Sequence, residues 1–371
     1  MNQDFEDLGE TSLSDGADPN SIRILQVTDL HIFPRDCESF EGIPLGDSFD
    51  RCLQLIDQLV KDAEPDVIVF TGDIMDGRGP WGRKEAVVDT FQYMIGCLHD
   101  TPWLFLPGNH DDDHSPWSRA DLVQIMKLPG SLQQSAKGFH HTLLLSKKSN
   151  IGASSIRVRL HIFDSGGNHP NKRIMYYNTP ATAVQGFSRY FSDRQTAESD
   201  VTGLVYIHIP TPEFQFVDPV IGENRLFAAA LAGGKIPKQV SKLMWLIKLL
   251  GVDRIAGCSR GPDTGLVPAI HHANKQHHAN IQALFCGHDH HSDAVFYRKG
   301  LFLGYGRSGA MTPPYDWEGA APNVLAKGGR VVEVSRDGVA KTWIQTASGF
   351  EDGSLLDMTN YEPDQKCCWP F

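Results

Sequence analysis

Asp66-Val67-Ile68-Val69-Phe70-Thr71-Gly72-Asp73 is the stretch whose reading decides the fold. Its middle is a short β-branched and aromatic run, bounded by Pro65 and Gly72, which predicts a buried strand. Helical spacing lies on both sides. Leu53, Ile56, Leu59 and Val60 recur at turns of a helix that should stop at Glu64-Pro65. Val87, Val88, Phe91, Met94, Ile95 and Leu98 predict a second helix over 84–98. A strand over 22–28 precedes the first helix, and another, ending at Gly108, follows the second. This β-α-β-α-β alternation implies parallel strands with right-handed crossovers. Ligands in such sheets bind beyond the carboxyl ends of the strands, where this stretch delivers Asp73.

Four other segments repeat the device. Ile24-Leu25-Gln26-Val27 precedes Asp29-Leu30-His31, and Trp103-Leu104-Phe105-Leu106 precedes Gly108-Asn109-His110-Asp111. Leu204-Val205-Tyr206-Ile207 runs into His208, and Ala283-Leu284-Phe285-Cys286 into Gly287-His288-Asp289-His290. Each alone is commonplace: Asn109 reads as a turn residue, Asp29 as a helix N-cap, and any single His as a structural one. Five in this order, all after apolar runs, predict one sheet edge carrying ligands for two metal ions.

The order D-x-H, G-D, G-N-H-D, H, G-H-x-H resembles the calcineurin-like metallophosphoesterase superfamily, from about Ile22 to Thr346. Asp66–Asp73, Lys127-Leu128-Pro129-Gly130-Ser131-Leu132, Phe163-Asp164-Ser165-Gly166, His208–Phe214, Tyr305-Gly306-Arg307 and Arg330–Val334 resemble its purple-acid-phosphatase-related branch of plants and fungi. The resemblance implies an α/β four-layer sandwich, two mixed β-sheets flanked by helices, as one domain over 21–350. It implies a first ion held by Asp29, His31, Asp73 and His290, and a second by Asp73, Asn109, His208 and His288. One position departs from the purple enzymes. Where they carry a Tyr ligand to iron(III), three residues after the Gly-Asp aspartate, this chain has Asp76, so no purple colour is expected.

Two ions roughly 3.5–4 Å apart can share a hydroxide and clamp a phosphoryl group. A bridging carboxylate holds them that close, and Asp73 is the candidate. Carboxylate, amide oxygen and imidazole together suit Mn, Fe, Zn or Co better than Ca or Mg. His110 is the candidate acid for the leaving oxygen, with Asp111 or a carbonyl to fix its tautomer. Asn109, His110 and Arg307 are the candidate substrate contacts, Arg307 because guanidinium suits phosphate. The predicted reaction is hydrolysis of phosphate monoesters, phosphoproteins among them. Hydrolysis of cyclic nucleotides or other diesters is the alternative, and a catalytically inactive scaffold is a third reading, disfavoured because every ligand-type residue is kept.

The formal charge of −11 sits in the ends. Residues 1–20 hold six acids and no base, residues 351–371 five acids and one Lys, and the rest 34 acids against 33 bases. Both ends are therefore expected to be acidic, disordered tails, and no basic stripe invites duplex nucleic acid. Residues 165–200 read as a polar insertion near the active edge, and Val240–Leu250 as a helix. His271, His272, His277 and His278 imitate a metal cluster but read as a solvated helix face. The opening Met1-Asn2-Gln3-Asp4 lacks signal-peptide character, no run approaches a membrane span, and seven unpatterned cysteines suit a reducing compartment, giving a cytoplasmic expectation. Cys368-Trp369-Pro370-Phe371 has the form of a prenylation box, which Pro370 and the acidic context oppose.

Overall fold

The computed structural model describes residues 5–14, 18–113, 116–148, 155–194, 200–214, 219–222, 258–312, 325–338, 340–351 and 354–361. The expected helix over Val240–Leu250 and the box at Cys368 lie outside them.

Two mixed sheets stack face to face. The first contains, in spatial order, β1 (Glu6–Ser12), β7 (His141–Lys148), β8 (Ser155–Ile162), β9 (Thr202–Tyr206), β10 (Ile281–Cys286), β12 (Leu301–Tyr305) and β11 (Val295–Arg298). The second runs β15 (Gly349–Phe350), β14 (Ala340–Thr346), β13 (Gly328–Ser335), β2 (Ser21–Val27), β5 (Val67–Thr71) and β6 (Trp103–Leu106), with β16 (Leu356–Asp357) beside β14. A two-residue-strand hairpin, β3 (Ser39–Phe40) and β4 (Ile43–Pro44), stands apart. The predicted β2-helix-β5-helix-β6 unit is present and parallel, with Ile24 opposite Val67 and Ile68 opposite Trp103.

Alternation along each strand sorts the side chains into three cores. Ile24, Val67, Val69, Leu104 and Leu106 meet Leu145, Val158, Leu160 and Phe285 between the sheets. Their opposite-face neighbours Leu25, Val27, Ile68, Phe70 and Phe105 pack outward on α1 (Ser48–Ala63) and α2 (Lys84–Gly96). Val205, Ile207, Leu284 and Leu303 pack outward on α3 (Ala181–Ser192) and α4 (Leu266–His277). Central strands buried on both faces explain why they read as unbroken apolar runs. The result is the expected four-layer sandwich. α1 stops where the sequence predicts: Glu64 takes a left-handed conformation and its N–H bonds the Val60 carbonyl ahead of Pro65.

Both tail expectations need correction. Glu6–Ser12 is an edge strand, parallel to β7 from Glu6 opposite His141 to Ser12 opposite Ser146. Main-chain pairing is indifferent to acidic side chains that alternate outward, and Phe5 anchors the entry by stacking among Phe163, Phe187 and Tyr190. At the other end, Leu356–Asp357 pairs with β14, and Tyr361 packs on Tyr297 and Phe302. The insertion also holds a helix, α3, that its polar composition hid.

His161 is a buried group the fold tolerates at a cost. Its ring is fully buried against Phe187 and Phe191, and neither ring nitrogen has a hydrogen-bond partner. Burial, with Arg159 and Arg194 nearby, holds its pKa well below the usual histidine range. The unfolded chain therefore binds a proton below about pH 6.5 that the folded chain refuses, so stability falls as pH falls. His161→Leu should raise stability by roughly 1–3 kcal/mol at pH 7 and by about 2 kcal/mol more at pH 5. Urea unfolding at the two pH values measures this. A variant equally stable to wild type at both would refute the account.

Candidate metal centre

The site forms where β2, β5, β6, β9 and β10 all end at one edge. Reversing the chain there requires unusual backbone. Asp29, His31, Asp73 and His288 have φ of 53°, 48°, 50° and 75°, a left-handed region that non-glycine residues enter at some strain. Loops 72–73 and 108–109 press together so closely that a Cβ on Gly72 would lie 2.5 Å from Gly108 N, and one on Gly108 2.2 Å from Asp73 Oδ1. These two glycines are required by that approach.

All seven candidate ligands converge. Asp29, His31 and His290 place one ligand atom each within 4.8 Å of one another, and so do Asp73, His208 and His288. Asp73 Oδ2 stands between the triads, 3.6 Å from His31 Nε2 and 3.2 Å from His208 Nε2, while Asp73 Oδ1 accepts the His110 N–H at 2.7 Å. Asn109 Oδ1 is 3.1 Å from His208 Nε2. His208 Nδ1–H donates to the Thr71 carbonyl at 2.8 Å, and His31 Nδ1 lies 3.2 Å from Asp76 Oδ2. Those partners leave each Nε2 lone pair facing the centre. His31 Nε2 and His290 Nε2 are only 3.0 Å apart. Imidazole nitrogens and carboxylate oxygens crowded this closely, with the outer nitrogens of His31 and His208 already committed, are chemically suited to cations, and the donor set fits two metal ions.

The electrostatics follow the crowding. Burial opposes charge on Asp73, but His208 and His110 overcome it and hold the carboxyl well below its usual range. Burial likewise opposes charge on His208, yet Asp73 and Asp29 lift its pKa to about 9. His288 goes the other way, to about 3, through burial and the charge on His208.

Two of the predicted roles are corrected. Asp111 does not orient His110. It is fully buried and its carboxylate accepts four backbone N–H groups, from Asp73, Gly108, Ile74 and Met75 at 2.6–3.0 Å. It pins the 72–75 and 108–111 loops to each other, as a G-N-H-D aspartate placed one residue past the His can. The His110 ring is instead held by Asp113, whose Oδ2 is 2.8 Å from Nδ1. Arg307 does not reach a substrate. Its guanidinium is 1% exposed and bound to Asp293 and Glu351 at 2.5 and 2.9 Å and to the Ala326 carbonyl. An arginine after a fully buried strand is neutralised inside the protein. The α4 histidines join no metal-ligand group among the described residues.

Sequence reasoning missed the residues around the ligands. Arg78 brackets Asp76 behind His31 with two hydrogen bonds, Nε to Oδ1 at 2.8 Å and Nη2 to Oδ2 at 2.6 Å. Arg119 ties the 107–112 loop to the end of β8, donating to Asp164, Asp112 and the carbonyls of Pro107, Gly108 and Gly166. Asn168 and Tyr176 contact Asn109 and His288. Only the H-x-x-D offset of Asp113 from His110 was within local reach.

A two-sheet α/β sandwich with these converging donors defines a metal-dependent phosphoesterase, a hydrolase with a dinuclear centre. The model of the calcineurin-like phosphoesterase family matches residues 22–292, and the chain belongs to that family. It is 25% identical over 327 residues to an Arabidopsis thaliana protein named "Probable inactive purple acid phosphatase 14", covering 81% of this chain and 73% of that one. It is 30% identical over 134 residues to a cAMP/cGMP dual specificity phosphodiesterase of Mycobacterium tuberculosis, covering 32% and 40% of the two chains. A crystal structure of a dimetal phosphatase from Danio rerio shares the fold, with a TM-score of 0.52 and 13% identity over 91% of this chain and 99% of that one. Among the described residues no helix is long and apolar enough to cross a membrane.

Proposed function

We propose that the chain hydrolyses phosphate monoesters, with Asp29, His31, Asp73 and His290 holding one metal ion and Asp73, Asn109, His208 and His288 the other. The observation that carries the reading is Asp73 Oδ2, set between two triads of inward-facing donors. Bound there, two divalent ions of the Mn, Fe, Zn or Co type supply a nucleophile at neutral pH and neutralise phosphoryl charge. The residues do the rest. His31 and His208 are locked by Asp76 and by the Thr71 carbonyl, so their rings need no reorganisation. His110 is the proton donor to the leaving oxygen. Its Nδ1 is held 2.8 Å from Asp113 Oδ2, a carboxylate that favours the imidazolium form.

Asp113 and Asn168 also line a cavity of about 320 Å³ with Asp112, Asp164 and Arg119. Every guanidinium nitrogen of Arg119 is already donating, so the acids dominate there. A leaving alcohol accommodated in it is neutral or basic, as in a basic phosphopeptide, rather than a further phosphate. The Arabidopsis relative, named a probable inactive purple acid phosphatase, matches most of the chain and the phosphodiesterase a third of it, so the relatives support the branch and the monoester reading rests on the site. Arg307 adds nothing to that preference, being buried. The absence of a tyrosine at position 76 supports a protein without a purple band. The test is kcat/KM for a nitrophenyl monoester and the bis-nitrophenyl diester under one metal and pH. The monoester should be faster. A diester value tenfold higher, about 1.4 kcal/mol of transition-state stabilisation, would assign a phosphodiesterase.

A further inference from the structure

The segment 167–177 forms a small antiparallel hairpin of its own. His169 N–H donates to the Met175 carbonyl at 2.8 Å and Tyr177 N–H to the Gly167 carbonyl at 3.0 Å, with Asn168 opposite Tyr176. That pattern makes Asn168 and Tyr176 a non-hydrogen-bonded pair, whose side chains leave the same face and lie close together. The hairpin is fastened at its base and flank. Arg119 Nη2 donates to the Gly166 carbonyl, Gly166 N–H donates to Asp164, Ser259 Oγ–H donates to the Tyr176 carbonyl, and Arg260 N–H to the Ile174 carbonyl. Gly166 has φ 79°, and a Cβ on it would lie 2.5 Å from that of Tyr177.

Both members of the pair reach the same half of the centre. Asn168 Oδ1 accepts from Asn109 Nδ2 at 3.3 Å, which turns the other end of the Asn109 amide, its oxygen, toward His208. Asn168 Nδ2 donates to the Asn109 carbonyl at 3.2 Å and to Asp113 at 2.9 Å, and Asp113 in turn holds His110. The Tyr176 ring meets His288 edge to face with centroids 4.5 Å apart. The Asp29, His31 and His290 triad is supported differently, by the Asp76 and Arg78 pair behind His31.

We propose that the 167–177 hairpin is a positioning device for the Asn109, His208 and His288 half of the centre, with Asn168 setting the Asn109 amide and the Asp113 and His110 pair, and Tyr176 setting the His288 ring. This rests on the dinuclear reading above. The two halves are then separately tunable. Groups that orient metal ligands typically contribute 10–100-fold to metal affinity.

The test is calorimetric titration of metal-depleted protein with Mn(II). Wild type should take two equivalents, and failure to do so would remove the dinuclear reading rather than this one. Asn168→Ala should weaken one equivalent about 10–100-fold and leave the other within a few-fold. Tyr176→Leu should weaken the same equivalent by less, and Asp76→Ala should weaken the opposite one. Asn168→Asp keeps the acceptor for Asn109 Nδ2 but loses the donor to the Asn109 carbonyl and sets a carboxylate against Asp113. It should recover part of the Mn(II) affinity lost in Asn168→Ala while kcat remains low, a split that mere loosening of the fold does not produce. Should Asn168→Ala not fold, Tyr176→Leu against Asp76→Ala carries the comparison. Both equivalents unchanged in Asn168→Ala and Tyr176→Leu, or both weakened equally, would overturn the proposal.

Discussion

Asp73→Asn is expected to abolish hydrolysis, by about 10³-fold or more given the several kcal/mol that bound metal supplies to a charged transition state, and to lower the affinity for both metal ions at once. The substitution is nearly isosteric. Asn tolerates the left-handed backbone that Asp73 adopts at φ 50°, and its amide oxygen can still accept the His110 N–H. What changes is the atom between the triads. An NH₂ group in place of Oδ2 would present hydrogens to His31 Nε2 and His208 Nε2, now 3.6 and 3.2 Å from that oxygen. Both rings must keep a lone pair inward to bind an ion, and neither can turn away while Asp76 and the Thr71 carbonyl hold their other nitrogens. Metal analysis of the purified variant beside a monoester assay measures both effects. Retention of one full equivalent with loss of the other would show that Asp73 serves a single ion.

How much of this could be read from the chain depends on where each interaction begins. β5, β6 and the ends that carry Asp73 and Asn109 were legible because fully buried parallel strands write themselves as short apolar runs, and because D-x-H, G-D and G-N-H-D are local patterns. That those strand ends share one edge followed from the parallel topology, whereas the division of the ligands between two ions was implied by the family resemblance. Asp111 was misassigned for a reason local pattern cannot repair. Its neighbour His110 suggested a partnership, but the residue one step along a tight turn points the other way, to the amides of 73–75 and 108. Arg307 failed similarly: a Gly-rich loop resembles an anion site, yet its burial beside Asp293 and Glu351 is decided by long-range packing. β1 was missed because edge pairing is made by the main chain, which acidic side chains do not announce. Asn168 and Tyr176 lay in a stretch without period, and their importance exists only across 59 residues to Asn109 and 112 to His288. The positions that support the ligands were therefore the least legible part of the site.

His110→Ala is expected to leave both ions bound and to lower kcat by about 10²–10⁴-fold, the usual range for a proton donor. The structure separates the two functions of this residue. Its backbone N–H donates to Asp73 Oδ1 at 2.7 Å, a contact that Ala retains, so the bridging carboxylate stays in place. Its ring contributes no atom to either triad; it sits with its centroid 5.3 Å from that of His31 and is held at Nδ1 by Asp113. Only Nε2 remains to exchange a proton with the substrate. A nitrophenolate leaves with little help, whereas an alkoxide must be protonated as the bond breaks. The loss should accordingly be smallest for the nitrophenyl ester and grow with the basicity of the leaving group. Asp113→Asn, which keeps the ring but removes the charge that favours imidazolium, should fall between wild type and His110→Ala on alkyl esters. An equal loss on nitrophenyl and alkyl esters, or a loss of metal from His110→Ala, would reassign His110 from proton transfer to the structure of the centre.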